Sequence, residues 1–292
     1  MDLGYSITTA VPPETDATAL ADAIVERTRV AADAGFGYVQ AGDHHSWDGT
    51  SYLQSIPMTA RLAGVIDRVV PMFLLPVWDP IVVAEQVGTL AALASVDVWY
   101  TVGRADSART MGIDPRERAA RIEEAIPLID RLWSEDHVTA DGEFYPVEDI
   151  TVRPSADPRV VVGGTAEPAV RRAGRLADAW VANAHVPNAD IAERVGWFEA
   201  AGGGDVLVRR DALVLPDGDR ARDLAADLLA DGYRGWPADA DWVLVGDPDD
   251  VAGQLAALGE AGADEVVVRP MSGDHATETL RGVARSRDRL SR

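Results

Sequence analysis

Short β-branched apolar runs alternate with longer stretches of helical periodicity from one end of the chain to the other. The strand-like runs are Leu3–Thr8, Tyr38–Ala41, Arg68–Leu75, Val98–Val102, Arg159–Val162, Ala179–Ala182, Val206–Leu215 and Glu265–Arg269. Helical patterns lie between them at Ala17–Ala34, Ser51–Ala63, Pro80–Ala94, Pro115–Trp133, Glu167–Ala177 and Ala189–Ala201. The seventh gap holds two, Asp219–Asp231 and Pro248–Ala261, and Thr277–Ser291 follows the last strand. Eight such repeats predict βα units, a parallel sheet and its closure into a (β/α)8 TIM barrel, one domain over residues 1–292.

Local signals set the boundaries. Asp114-Pro115-Arg116-Glu117 and Asp247-Pro248-Asp249-Asp250 each read as an Asp N-cap with Pro at the first helical position. Gly35 and Gly262 stand just past helix ends, where a left-handed residue is needed. One stretch breaks the alternation. Asp141-Gly142 lies between Val138-Thr139 and Phe144-Tyr145, which predicts a hairpin inserted in His137–Pro154, between helix 4 and strand 5.

Composition narrows the partners. The formal net charge is −21, all 27 basic residues are arginine, and Asp (33) outnumbers Glu (15). Such a field repels nucleic acid and anionic membranes, so neither is expected as a partner. Dense carboxylates without lysine suit a salt-adapted, halophilic surface; an acidic protein from a GC-rich genome would look similar. There is no cysteine, hence neither disulfide nor thiolate metal site. Apolar runs such as Val69–Val77 are too short to cross a bilayer, and the first residues lack a signal-peptide pattern. A cytoplasmic enzyme acting on a small molecule is the expectation.

In such barrels the chemistry sits at the C-terminal ends of the strands. After the second strand comes Gly42-Asp43-His44-His45-Ser46-Trp47, where paired histidines, an acid and an indole suit proton handling or stacking on a planar ring. A solvated polar loop fits the same residues, and Asp43, His44, His45 and Asp48 are also competent metal ligands, although no further ligand cluster supports a metal. After the fifth strand, Gly163-Gly164-Thr165 runs into a helix whose free N–H groups would receive a phosphate; glycine there also serves simple packing. After the fourth, Gly103-Arg104-Ala105-Asp106-Ser107-Ala108-Arg109 offers guanidinium groups and a hydroxyl to an anionic tail, or surface ion pairs.

Several of these stretches occur in register with a known family. Ala34–Val39 leading into Gly42-Asp43-His44-His45, Pro80–Leu90, Gly112–Arg118, Gly142–Tyr145, Val162–Thr165 with Arg172–Trp180, and Val245–Pro248 with Ala261–Asp264 resemble the luciferase-like monooxygenase superfamily. The similarity runs from Leu3 to about Arg269. It is greatest to coenzyme F420-dependent oxidoreductases of the methylenetetrahydromethanopterin reductase kind, and the acidic composition agrees with a haloarchaeal source. The resemblance implies a redox barrel with a tricyclic ring at the top of the strands. It places Asp43 and His44 in proton transfer, with His44 able to exchange a proton near neutral pH and His45 turned away. Trp47 becomes a stacking wall, Pro71-Met72 a bulged non-proline cis peptide under the ring, and Gly163, Gly164, Thr165, Gly103 and Ser107 contacts to the cofactor.

Three departures stand out. Pro71 occupies a position usually held by Gly, Ala105 follows Gly103 where another Gly is common, and a Ser-Ala-Arg run replaces an acid just beyond. The implied activity is hydride transfer between the deazaflavin and a small organic substrate. An FMN-dependent monooxygenase and a non-catalytic cofactor-binding barrel are the alternatives. The resemblance also implies a homodimer through the helices after strands 2 and 3, where Ile81–Leu93 is apolar on more than one face.

Overall fold

The computed structural model describes residues 1–45, 50–102 and 105–290. Eight parallel strands close on themselves in sequential order. They are β1 (Asp2–Ser6), β2 (Tyr38–Ala41), β3 (Arg68–Leu74), β4 (Ser95–Thr101), β5 (Arg159–Gly163), β6 (Ala179–Ala182), β7 (Asp205–Val214) and β8 (Glu265–Pro270). Each pairs with the next, and β1 pairs with β8, for example Leu3 with Val266. The ring is wrapped by α1 (Ala17–Asp33), α2 (Ser55–Leu62), α3 (Pro80–Ala91), α4 (Arg118–Ser134), α5 (Glu167–Leu176), α6 (Ile191–Glu199), α7 (Gly218–Ala230), α8 (Pro248–Glu260) and α9 (Ala276–Leu290). This is the expected (β/α)8 barrel.

The differences from the expected elements are local. Ser51–Tyr52 is a strand paired antiparallel with Ala10–Val11, so α2 starts only at Ser55. α4 begins at Arg118, because the Asp114 carboxylate accepts the Arg116 N–H and caps a separate turn before the helix. The inserted hairpin pairs Val138–Ala140 with Val147–Ile150. Phe144 and Tyr145 lie in its loop instead, their N–H groups donating to the Glu124 carboxylate. The two helices of the seventh gap enclose a further strand, Val243–Gly246, which pairs with the last four residues of the long β7. Gly35 (φ 83°) and Gly262 (φ 100°) take the left-handed conformation, and Asp247 forms a full capping box with Asp250.

Alternation along the strands sorts the core into two layers. Outward residues such as Val69, Phe73, Val98, Val206 and Val208 pack against the helices. Inside, Tyr38, Val70, Trp99, Val161, Ala179, Val181, Leu207 and Val267 fill the barrel, with Met72 against them. At the lower end Arg159 bridges Glu265 at 2.6 Å and Asp205 at 2.9 Å, with Asp97 3.8 Å away. Ion pairs plug the bottom and hydrophobic side chains fill the middle, so the barrel opens only at the C-terminal ends of its strands.

Gly88 shows how tightly the outer layer is joined. It lies in α3, and a Cβ there would fall inside the carbonyl oxygen of Pro154, a backbone atom with no side-chain freedom to yield. Helix propensity favours alanine over glycine by about 1 kcal/mol. Overpacking costs about 1–3 kcal/mol, and here the obstacle is rigid. The steric effect therefore decides the sign, and Gly88→Ala should unfold at lower urea concentration with an unchanged slope. A midpoint at or above that of the parent chain would show that α3 can shift.

Candidate active site

The loop after β2 is organised around Asp43. Its side chain is fully buried, and Oδ2 accepts hydrogen bonds from the Leu74 N–H (2.8 Å) and the Trp78 indole (2.7 Å). Oδ1 stands 3.0 Å from His45 Nε2, an ion-pair distance without good hydrogen-bond alignment. One carboxylate thus ties the ends of β2 and β3 together and holds His45, whose ring lies 5.6 Å from that of Trp78. Ser55 adds a second tie: its hydroxyl donates to the Ala41 carbonyl and accepts from the Met72 N–H.

His44 is thereby turned the other way, into a cleft of about 710 Å³ at the barrel mouth. The cleft is lined by Tyr5 of β1, Tyr52, Arg269 of β8, and Tyr233 and Arg234 from the segment after α7. His44 stacks on Tyr52 with ring centroids 4.8 Å apart. A Cβ on Gly42 would stand 3.6 Å from both His44 Nε2 and Met72 Cε, so these two side chains meet over that glycine.

Burial pushes the His44 imidazole down to about 4, with Arg209 and Arg269 acting in the same direction against the pull of Asp43. The Asp43 carboxylate holds His45 above its ordinary value. The structure departs from the expected Asp43–His44 pair: Asp43 is engaged with His45, and burial favours the neutral form of the His44 ring.

The remaining expected site residues are scattered around the mouth. Pro71 is buried, and alternation puts it between the inward Val70 and Met72, facing the helices rather than the cleft. The Pro71–Met72 bond is trans; among the described residues the cis bond is Arg153–Pro154. The offset of 27 residues between β3 and β4 is the same for Val69–Val96 and Met72–Trp99, so no bulge intervenes. Pairing is interrupted at Val70 and Pro71 and resumes in the same register at Met72, whose N–H donates to the Ser55 hydroxyl.

Across the mouth, Gly163 and Gly164 are required by packing. A Cβ on Gly163 would be 2.9 Å from Trp99 Nε1, and one on Gly164 would be 2.8 Å from Ala169 Cβ. Thr165 Oγ1 accepts from the Asn183 amide. α5 starts at Glu167 with Ala166 as its N-cap and no side-chain cap among the described residues. Ser107 lies on a short helix, Ala105–Thr110. Trp47, Asp48 and Gly103 lie outside the described residues.

The residues not anticipated are Tyr5, Tyr52, Arg209, Asp211, Tyr233 and Arg269. A signal for three of them was present: Arg209, Asp211 and Arg269 interrupt otherwise apolar strands, and charge in a buried strand demands a reason.

The profile of luciferase-like monooxygenases matches residues 1–265. The chain belongs to that family. An F420-dependent glucose-6-phosphate dehydrogenase of Beutenbergia cavernae is 34% identical over 168 residues, 53% of this chain and 50% of that protein. The chain thus spans about half the length of the curated relatives it matches. Among solved structures, the monooxygenase RslO1 of Streptomyces bottropensis superposes with a TM-score of 0.85 at 19% identity, covering 100% of both chains. An F420-dependent secondary alcohol dehydrogenase, bound to an F420–acetone adduct, superposes with a TM-score of 0.81 at 16% identity, covering 98% of this chain and 99% of that one.

The lowered pKa of His44 makes stability depend on acid. The folded state favours the neutral ring, so its contribution is complete above pH 6.5 and is lost as pH falls toward 4. Over that window the loss is on the order of 2–3 kcal/mol. Denaturant unfolding of the parent chain and of His44→Asn, compared from pH 7 to 4, should converge as the pH drops. Parallel curves would mean that His44 titrates alike in folded and unfolded chains.

Proposed function

We propose that this family member is an F420-dependent oxidoreductase that moves a hydride between the deazaflavin and a small organic substrate at the barrel mouth. The observation carrying the reading is the cleft itself. A neutral imidazole and two tyrosines, Tyr52 and Tyr233, line one open end of a barrel whose other end is plugged. Aromatic faces suit a planar ring, and the uncapped start of α5 opposite can take a phosphate without displacing a protein group. The residues present therefore fit such a cofactor. Met72 and His44 would face its ring, and Thr165 and Ser107 would lie toward its anionic tail. The dehydrogenases among the relatives and structural neighbours support the same reading.

When bound, a deazaflavin supplies two-electron hydride chemistry, and the protein supplies position and dryness. His44, held neutral, donates or accepts a hydrogen bond at the reacting oxygen of the substrate. Asp43 keeps it there indirectly, by fixing His45 and the end of β3. His44→Asn should keep fold and cofactor affinity and lower turnover by about 10²–10³, as for a lost hydrogen bond to the reacting oxygen. An unchanged rate would reduce His44 to a wall of the cleft.

The second reading is an FMN-dependent monooxygenase, which the fold shared with a type II Baeyer–Villiger monooxygenase in complex with FMN also accommodates. Titration of the purified protein with F420 and with FMN, followed by gel filtration, separates the two. Co-elution of the deazaflavin alone is expected; FMN alone would reverse the assignment, and neither would point to a non-catalytic barrel. The phosphate end has its own test. Ala166→Ser and Ala166→Asp should both cap α5 and raise its stability, but only the aspartate should repel the cofactor. Equal affinity in both variants would place the phosphate elsewhere.

Residues 1–292 are proposed to work as one domain and to pair as a homodimer through α2 and α3. Val82 in α3 and Leu93 beyond its end are exposed apolar side chains on that side, Leu93 with 57% of its surface open. A salt-adapted cytoplasmic setting, consistent with the −21 charge, is part of the same proposal. Light scattering in molar salt should give twice the chain mass, and Leu93→Asp should halve it.

A further inference from the structure

We propose that β7 and β8 carry an oxyanion site, in which the unpaired Arg209 together with Arg269 takes the carboxylate or phosphate of the substrate presented to His44. The site deepens the redox reading above, on which the word substrate rests. It stands on the arrangement of four charged side chains. Arg209 and Asp211 follow Leu207 on the inward face of β7, and Arg269 is the register partner of Asp211 on β8. Asp211 Oδ2 accepts from Arg269 Nη2 and from the Tyr233 hydroxyl, both at 2.6 Å, and Arg234 Nη1 stands 3.7 Å away. Two guanidinium groups and a phenol therefore share one carboxylate.

Arg209 is the one left over. Among the described residues its side chain has neither a hydrogen bond nor an ion pair, and its Nε is shut off from solvent without an acceptor. The adjacent Arg210 is no model for it. That side chain points to the outer face, where Asn188 Oδ1 and the Val186 and Arg209 carbonyls accept its N–H groups. Arg269 Nε and Asp211 Oδ1 also lack partners. Two donors and one acceptor thus lack protein partners on the inward faces of β7 and β8, Arg209 one inward step below the Asp211–Arg269 pair.

Burial and the charge of Arg269 push Arg209 down to about 10, so it remains cationic at neutral pH and repelled by its neighbour. His185, after β6, is held below its ordinary value by burial first and then by Arg209. Asp211 attracts Arg209 without bonding to it, and a part-buried guanidinium whose Nε lacks an acceptor is costly, so an apolar side chain would serve packing better. An oxyanion restores the balance, because the planar fork matches a carboxylate or a phosphate edge. A hydroxyl on the same ligand would satisfy Asp211 Oδ1. The substrate class that follows is a small hydroxy or carbonyl compound bearing one oxyanion group.

The probes are inorganic phosphate and acetate, titrated by calorimetry and by thermal melting at constant ionic strength against the parent chain, Arg209→Met and Ala166→Asp. Saturable binding of either anion to the parent chain is expected. Arg209→Met should melt no lower than the parent without anion and bind at least about ten-fold more weakly. Ala166→Asp should retain the anion effect. Binding of phosphate alone assigns a phosphate ester, and binding of acetate alone assigns a carboxylate. Where Arg209→Met does not fold, Arg209→Lys keeps the charge without the fork and should bind several-fold more weakly. The proposal falls if neither anion binds, if the Arg209 variants bind like the parent, or if the effect disappears in Ala166→Asp, which would move the anion to α5. Anion binding intact in a chain that takes up neither F420 nor FMN would sink the redox reading and leave this site standing.

Discussion

A carboxylate buried without exposed surface must have its charge answered, and at Asp43 two hydrogen-bond donors and one ion-pair partner come from three different places. The end of β3 supplies the Leu74 N–H, the segment before α3 supplies the Trp78 indole, and the loop itself supplies His45. Because each partner satisfies the same group, none can move without leaving a charge uncompensated. The loop after β2 is fixed in consequence, and the side chain that remains, His44, is the one facing the cleft. Two adjacent histidines thus divide the work by partner: one is held to an acid and raised, the other buried against Tyr52 and lowered.

The electrostatics of the molecule have opposite signs outside and in. The chain carries a net −21, while the mouth gathers Arg234 and Arg269 on Asp211, with Arg209 beside them on β7. Low-dielectric walls strengthen interactions in the mouth, and salt screens the exterior far more than the interior. High ionic strength would therefore weaken the outer repulsion of an anionic ligand and leave its inner attraction largely intact. Salt adaptation of the surface and an oxyanion site within the barrel are compatible on these grounds.

Much of the fold was legible because periodicity reports burial directly. All eight barrel strands match apolar runs in the sequence, most within one or two residues, since a parallel strand covered on both faces must be apolar along its length. Legibility failed where a partner distant in sequence decides. Ser51–Tyr52 is a strand only because Ala10–Val11 lies beside it, and Val243–Gly246 only because β7 extends past the ring. Phe144 and Tyr145 look β-prone, yet Glu124, some twenty residues upstream, claims their N–H groups. The bulge expected at Pro71 came from resemblance, and the unbroken register of β3 with β4 replaces it.

The same division holds at the site. The order of apolar and polar positions settled a parallel barrel with its loops at one end, and the wording of those loops settled the family, because both depend on short-range pattern and composition. Which histidine faces the cleft, why side chains on Gly163 and Gly164 would crowd their neighbours, and that Arg209 Nε has no acceptor are properties of three-dimensional neighbours. Asp43 chooses His45, Trp99 and Ala169 crowd the two glycines, and Asp211 is already taken by Arg269 and Tyr233. Those contacts join residues between 2 and 64 positions apart, and short-range electrostatics and hard-core repulsion act on distance in space, which the linear pattern does not record.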